Sequence, residues 1–156
     1  MTTVARRLVA GSMLWAGLCQ AVQAVDDCNV KTRLMAFGEY IASDPAPLDS
    51  VGTIRVQCRS NKTPGGAYRL EISGGNSGDP ANRFLLSGAS RLFYNLYVDA
   101  ARLRIWGDGS GGTEAVARLV TQHPQRDILP VYGRVPTAQN APPGAYEDAL
   151  VVTLIF

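Results

Sequence analysis

Past its first two dozen residues, this chain holds no stretch of a dozen residues with a helical 3.6-residue period that a Gly or Pro does not interrupt. That punctuation constrains the fold more than any other feature. Short runs rich in β-branched and aromatic residues recur instead, separated by turn-forming clusters, the pattern of a β-sandwich. Strands are expected at 29–37 (closed by Gly38), 53–58, 68–72, 84–86, 92–98, 114–121, 128–135 and 145–156. Alternation assigns inward faces: Ile54, Val56 and Cys58; Tyr68, Leu70 and Ile72; Leu92, Tyr94, Leu96 and Val98. Residues 60–66, 74–80, 106–112 and 136–144, rich in Gly, Pro, Ser and Asn, read as loops.

The first residues belong to a different physical class. Arg6 and Arg7 precede an uncharged, largely apolar run at 8–18, followed by Val22-Gln23-Ala24. This is the order of a secretory signal peptide, and the run is too short to span a bilayer. The expected cut lies between Ala24 and Val25, with Ala21 as the alternative, so residues 1–24 form the signal and 25–156 one domain. A lipid anchor at Cys19 is disfavoured because Leu18 stands where a small residue is expected. The chain has 15 basic and 13 acidic residues, and the signal removes two basic ones, leaving 13 of each. A balanced charge with scattered arginines gives no reason to expect a nucleic-acid partner.

Cys28 and Cys58 remain after cleavage. Two cysteines in an oxidising compartment are expected to form a disulfide, worth about 3–4 kcal/mol for a loop of this length. Free buried thiols are the alternative. The sole histidine, His123, and two distant cysteines make no metal-ligand set, and neither metal nor cofactor is expected.

Enzyme chemistry has little to build on. A nucleophilic triad would need His123, which precedes Pro124 in a polar stretch. Asp99, Asp108 and Glu114 are inland carboxylates without a spacing that singles them out, so an extracellular hydrolase is disfavoured. The loop from Trp106 to Gly112 lacks the Gly-Lys-Ser/Thr ending of a phosphate loop and reads as a turn. Asn61-Lys62-Thr63 fits a glycosylation sequon by composition alone. Phe93, Tyr94, Tyr97 and Trp106 would line a sugar-binding face, although period-2 placement makes core packing the better account of at least half of them.

The C-terminal run is apolar on both faces: Leu150, Val152, Leu154 and Phe156 on one, Val151, Thr153 and Ile155 on the other. Such a strand at a sheet edge invites aggregation, so it must lie centrally or have its neighbouring position covered.

Several segments in order carry a resemblance: Cys28-Asn29-Val30, Phe37-Gly38-Glu39-Tyr40, Gly52-Thr53-Ile54-Arg55-Val56-Gln57-Cys58 and Tyr68-Arg69-Leu70-Glu71-Ile72-Ser73-Gly74-Gly75. Arg83-Phe84-Leu85, Leu92-Phe93-Tyr94-Asn95-Leu96-Tyr97-Val98-Asp99-Ala100, Trp106-Gly107-Asp108-Gly109, Gly144-Ala145-Tyr146-Glu147-Asp148 and Val152-Thr153-Leu154-Ile155-Phe156 complete the series. From Cys28 to Phe156 the chain resembles the spore coat protein U domain, the subunit domain of archaic chaperone–usher pili. The resemblance implies an all-β, incomplete immunoglobulin-like sandwich whose final strand a partner supplies, with one disulfide between the first two strands. Its implied partners are a periplasmic chaperone, an outer-membrane usher and neighbouring pilus subunits that add a β-strand. Leu150, Val152, Leu154 and Phe156 would lie along or under the acceptor groove. The implied role is a structural subunit of a pilus tip, biofilm or coat, exported through the periplasm to the cell surface or beyond, with no membrane span after cleavage. A free-standing extracellular carbohydrate-binding sandwich is the alternative. Polymerising subunits carry a donor segment before the first cysteine, whereas the expected cut leaves only Val25-Asp26-Asp27. The expectation is a subunit that accepts a strand and donates none.

Overall fold

The computed structural model describes residues 28–33, 35–59 and 66–156. The expected signal peptide with its cleavage site at Ala24 and Val25, the 60–65 part of the first loop and the Asn61 tripeptide therefore lie outside the described residues. Nine strands follow in order: β1 (Cys28–Thr32), β2 (Leu48–Cys58), β3 (Ala67–Ile72), β4 (Phe84–Ser87), β5 (Ser90–Phe93), β6 (Asn95–Tyr97), β7 (Val116–Leu119), β8 (Gln125–Val135) and β9 (Val152–Ile155). There is no α-helix among the described residues, and no helix long and apolar enough to cross a membrane.

One four-stranded sheet runs β1-β2-β8-β6, and a three-stranded sheet runs β7-β3-β9; β4 and β5 form a separate hairpin. Every pairing between these strands is antiparallel. The alternation read from the sequence sets the core: Ile54, Val56 and Cys58 from β2 face Tyr68, Leu70 and Ile72 from β3, with Leu129, Val131 and Val135 of β8 beside them, all buried. Cys28 stands opposite Cys58 at the end of the β1–β2 ladder, and the two form a disulfide across a Cα–Cα distance of 4.0 Å.

Besides β2 and β8, which begin earlier than expected at Leu48 and Gln125, and β7, which is shorter, three expected strands are redrawn in kind. The first stops at Thr32 because Met35 and Phe37 leave the sheet and lie against its inner face, where Gly52 and Gly133 make room. A Cβ on Gly133 would meet Met35 Sδ at 2.6 Å and Phe37 Cζ at 2.7 Å, so this close approach requires glycine. The expected strand at 92–98 is broken at Tyr94, whose N–H donates to the Arg83 carbonyl at 3.1 Å; before it the chain pairs with β4, after it with β8. Its inward face survives the change of partner, for Leu92, Tyr94 and Leu96 are all buried. At the C-terminus only Val152–Ile155 is regular strand, and it lies at a sheet edge rather than centrally.

One core feature has no apolar signature. Arg83 is fully buried, at 0 % exposure. Its Nε donates to the Ser73 carbonyl (2.9 Å), Nη1 to Pro80 O (3.0 Å) and Asn95 Oδ1 (2.7 Å), and Nη2 to Ile72 O (2.9 Å) and Trp106 O (2.8 Å). Five bonds use the guanidinium's full donor set and tie β3, β6 and the Trp106 loop together. Burial pulls the Arg83 guanidinium below its ordinary value, but the surrounding oxygens offset the loss of water.

Candidate functional site

The edge strand β9 pairs with β3 from Arg69↔Ile155 to Ile72↔Val152 and has no partner on its other side among the described residues. In an antiparallel ladder, successive residues point their backbone N–H and C=O to alternate sides, so half of β9's backbone groups face outward unpaired. The outermost strand of the other sheet, β1, lies beside this edge.

Between the two sheets at this side opens a cavity of ≈ 1060 Å³. Its floor is core: Ile54, Ile72, Leu92, Leu96, Val131 and Val135 all line it. One wall is the segment carrying Met35, Phe37 and Tyr40, and the other is the run from Ala141 to Asp148 with Leu150 and Val152. Tyr94 stands within it, edge-on to the Phe37 ring at 5.7 Å.

The C-terminal wall is fixed by polar contacts as well as by packing of Ala141, Tyr146 and Leu150 against the core. Leu86 and Glu147 exchange backbone hydrogen bonds at 2.8 and 2.9 Å. Asp148 accepts from the Asn76 backbone N–H at 2.7 Å and from the Tyr94 hydroxyl at 2.7 Å, while Asn76 Nδ2 donates to Glu147 O at 2.9 Å. Ser73 completes the approach to β9: its N–H donates to Val151 O and its Oγ accepts from the Val151 N–H, both at 2.9 Å. Burial first, and then the bond to Asp148, hold the Tyr94 phenol protonated far above its usual range. Gln139 secures the other end of the wall, receiving the Phe93 N–H at 2.7 Å on Oε1 and donating from Nε2 to Phe93 O at 2.9 Å.

The four groove residues named from the sequence separate. Leu150 and Val152 line the cavity. Leu154 is half-buried against the core, and Phe156 is 44 % exposed beyond the end of β9. The sequence does not reveal Met35, Phe37 and Tyr40 as a wall, because their spacing reads as the end of a strand and its flank; nor does it mark Asn76 and Asp148 as anchors of the C-terminal segment.

The other candidates have structural employment. Tyr94 and Trp106 are core side chains at 5 % and 1 % exposure, and the Trp106 indole N–H donates to Leu70 O at 3.2 Å. Asp99 accepts from the backbone of Leu103 and Arg104, Asp108 from Ser110, and Glu114 pairs with Arg104. Each holds a turn. No group of three His, Cys, Asp or Glu among the described residues is placed to hold a metal.

An antiparallel β-sandwich with one disulfide, whose core opens along an edge strand that is unpaired among the described residues, has the immunoglobulin-like fold class. The Spore Coat Protein U domain profile matches residues 15–153, and the chain belongs to that family. It is 32 % identical over 132 residues to Protein U of Myxococcus xanthus, covering 77 % of this chain and 70 % of that protein. Among solved structures it is similar to a chain of the CsuC–CsuE chaperone–tip adhesion subunit pre-assembly complex from the archaic chaperone–usher Csu pili of Acinetobacter baumannii. That likeness has a TM-score of 0.55 at 19 % identity over 83 % of this chain. This chain covers 39 % of that one, and the likeness speaks to fold alone. A looser likeness, TM-score 0.41 at 17 % identity, links 81 % of this chain with 79 % of the Escherichia coli Hda pilus minor tip subunit, HdaB, and carries no structural argument.

Proposed function

We propose that this chain is an exported structural subunit of a chaperone–usher surface assembly, completed by a β-strand that a partner adds beside β9. The unpaired β9 edge over an apolar cavity carries the reading. A strand entering there would pair with the outward backbone groups of β9 and lay alternate side chains onto Ile54, Ile72 and Val131, satisfying backbone and core in one step. A periplasmic chaperone would supply that strand first and a neighbouring subunit later, delivered at an outer-membrane usher. Leu150 and Val152 would contact the incoming side chains, with Leu154 and Phe156 at the far end.

Cleavage after Ala24 would leave three residues before Cys28, two of them acidic, which cannot fill an apolar groove. The proposal therefore includes an acceptor-only position, at a tip or in a coat. No catalytic step is proposed.

The experiment is expression with the signal intact, alone and beside an archaic-type periplasmic chaperone, followed by recovery from the periplasm and mass determination of the N-terminus. The expected result is a stable complex with the chaperone, little soluble monomer without it, and an N-terminus at Val25. A soluble, stable monomer recovered equally well without chaperone would overturn the reading and favour a free-standing sandwich.

A further inference from the structure

The outer face of the β1–β2–β8 layer, opposite the cavity, holds a charge pattern that folding does not require. Lys31 stands directly opposite Arg55 in the β1–β2 register. Arg55 in turn faces Ile128, and Arg126 faces Gln57 one pair further on the same surface. All three cations are exposed. Side chains directly opposed across antiparallel strands have Cβ atoms about 5 Å apart, and like charges there weaken the pairing. Among the described residues, none of the three lies within ion-pair distance of a carboxylate. The one carboxylate on this face of the described strands, Asp49, is already shared by Arg134 at 2.7 Å and Arg102 at 3.2 Å.

Lys31, Arg55, Arg126 and Arg134 thus share this strand face with one carboxylate, Arg102 reaching over it from a loop, in a domain expected to carry equal numbers of basic and acidic residues. An ordinary solvated surface intersperses the two signs. Arginines that looked scattered along the sequence are gathered by register, since Lys31, Arg55 and Arg126 come from three different strands.

We propose that this face binds an anionic polysaccharide, its carboxylates meeting Lys31, Arg55 and Arg126 while sugar rings lie over Ile128 and Pro130. Ile128 is 67 % exposed and Pro130 is exposed beside it, an aliphatic platform amid the cations. Rows of charge about 5 Å apart across strands and about 7 Å apart along them suit an extended polymer with a regularly spaced charge. No aromatic side chain stands between the three cations, so the stacking platform that single-stranded nucleic acids use is missing there. The choice of a polysaccharide rests on the exported location proposed above; the surface itself does not depend on the cavity, which opens on the sheet's other side.

The test measures binding of the periplasmically recovered chain to polygalacturonate, neutral dextran and duplex DNA at about 0.15 M NaCl. Polygalacturonate is expected to bind and dextran not. The double variant Arg55→Glu, Arg126→Glu should weaken binding by about tenfold or more, while Arg118→Glu on the opposite sheet changes it less than about twofold. The milder pair Lys31→Gln, Arg55→Gln should give a smaller loss in the same direction and serves if charge reversal prevents folding. No binding of polygalacturonate by the natural chain, an equal loss in Arg118→Glu, or tighter binding to duplex DNA would each overturn the proposal. Recovery with the chaperone, unchanged in these variants, separates failure here from failure of the strand-acceptor reading.

Discussion

β8 and β9 both turn apolar side chains toward the core, yet their surroundings differ in kind. β8 has β2 along its whole length on one side and β6 on the other, and Leu129, Val131 and Val135 are buried. Among the described residues β9 has β3 alone, and none of its residues is fully buried. The inward-facing apolar residues of the two strands therefore close the core in one place and leave it open in the other. What separates them is the number of neighbours, not hydrophobicity. The Arg83 cluster sharpens the contrast, since a wholly buried charge has every donor satisfied while an apolar edge strand keeps half its backbone groups unpaired.

The largest expected effect is at the finished end. Arg83→Met removes five donors and leaves four carbonyls and the Asn95 amide oxygen short of partners, so unfolding free energy should fall by about 4 kcal/mol, read by urea denaturation. Replacing Cys28 and Cys58 with Ser should lower it by about 3 kcal/mol, with the midpoint matching that of the reduced natural chain. A paired comparison tests the contrast itself. Leu129→Ala on β8 should cost about 3 kcal/mol and Leu154→Ala on β9 about 1, with the second value rising toward the first once a strand completes the groove.

Alkaline titration should show a smaller effect. Burial, aided by bonds to Asp127 and Asp148, raises the phenols of Tyr68 and Tyr94. The unfolded chain loses these protons near pH 10 while the folded chain retains them. Stability is therefore fully present below about pH 10 and falls above it, by up to about 1.4 kcal/mol per pH unit for each tyrosine. Asp49 gives the smallest change. Its bond to Arg134 holds the carboxyl below the usual range, so the contribution is present above about pH 4 and lost as acid protonates it. Asp49→Asn should cost less than about 1 kcal/mol at neutral pH because the pair is partly exposed.

Alternation alone made much of the fold legible, since the inward sets on β2 and β3 follow from spacing and burial. The disulfide was legible from cysteine count and compartment. Arg83 is not legible as a core residue, because an arginine in a core breaks the apolar pattern and four of its five oxygens, those of Ile72, Ser73, Asn95 and Trp106, come from other segments. The break at Tyr94 was hidden because an inward face can persist while a strand changes sheets. For the same reason the cavity wall at Met35 and Phe37 read as a continued strand: the space they fill is set by Gly52 and Gly133, two glycines on other strands. The cationic face is likewise a product of register, which local sequence does not encode.

The open edge of β9 is the central claim, and amide hydrogen exchange over Val152–Ile155 tests it most directly. In the chain alone, outward-facing amides of β9 should exchange fast while their β3-paired neighbours remain protected, and the alternation should vanish in the chaperone-bound form. Uniform protection of all β9 amides in the isolated monomer would contradict the account.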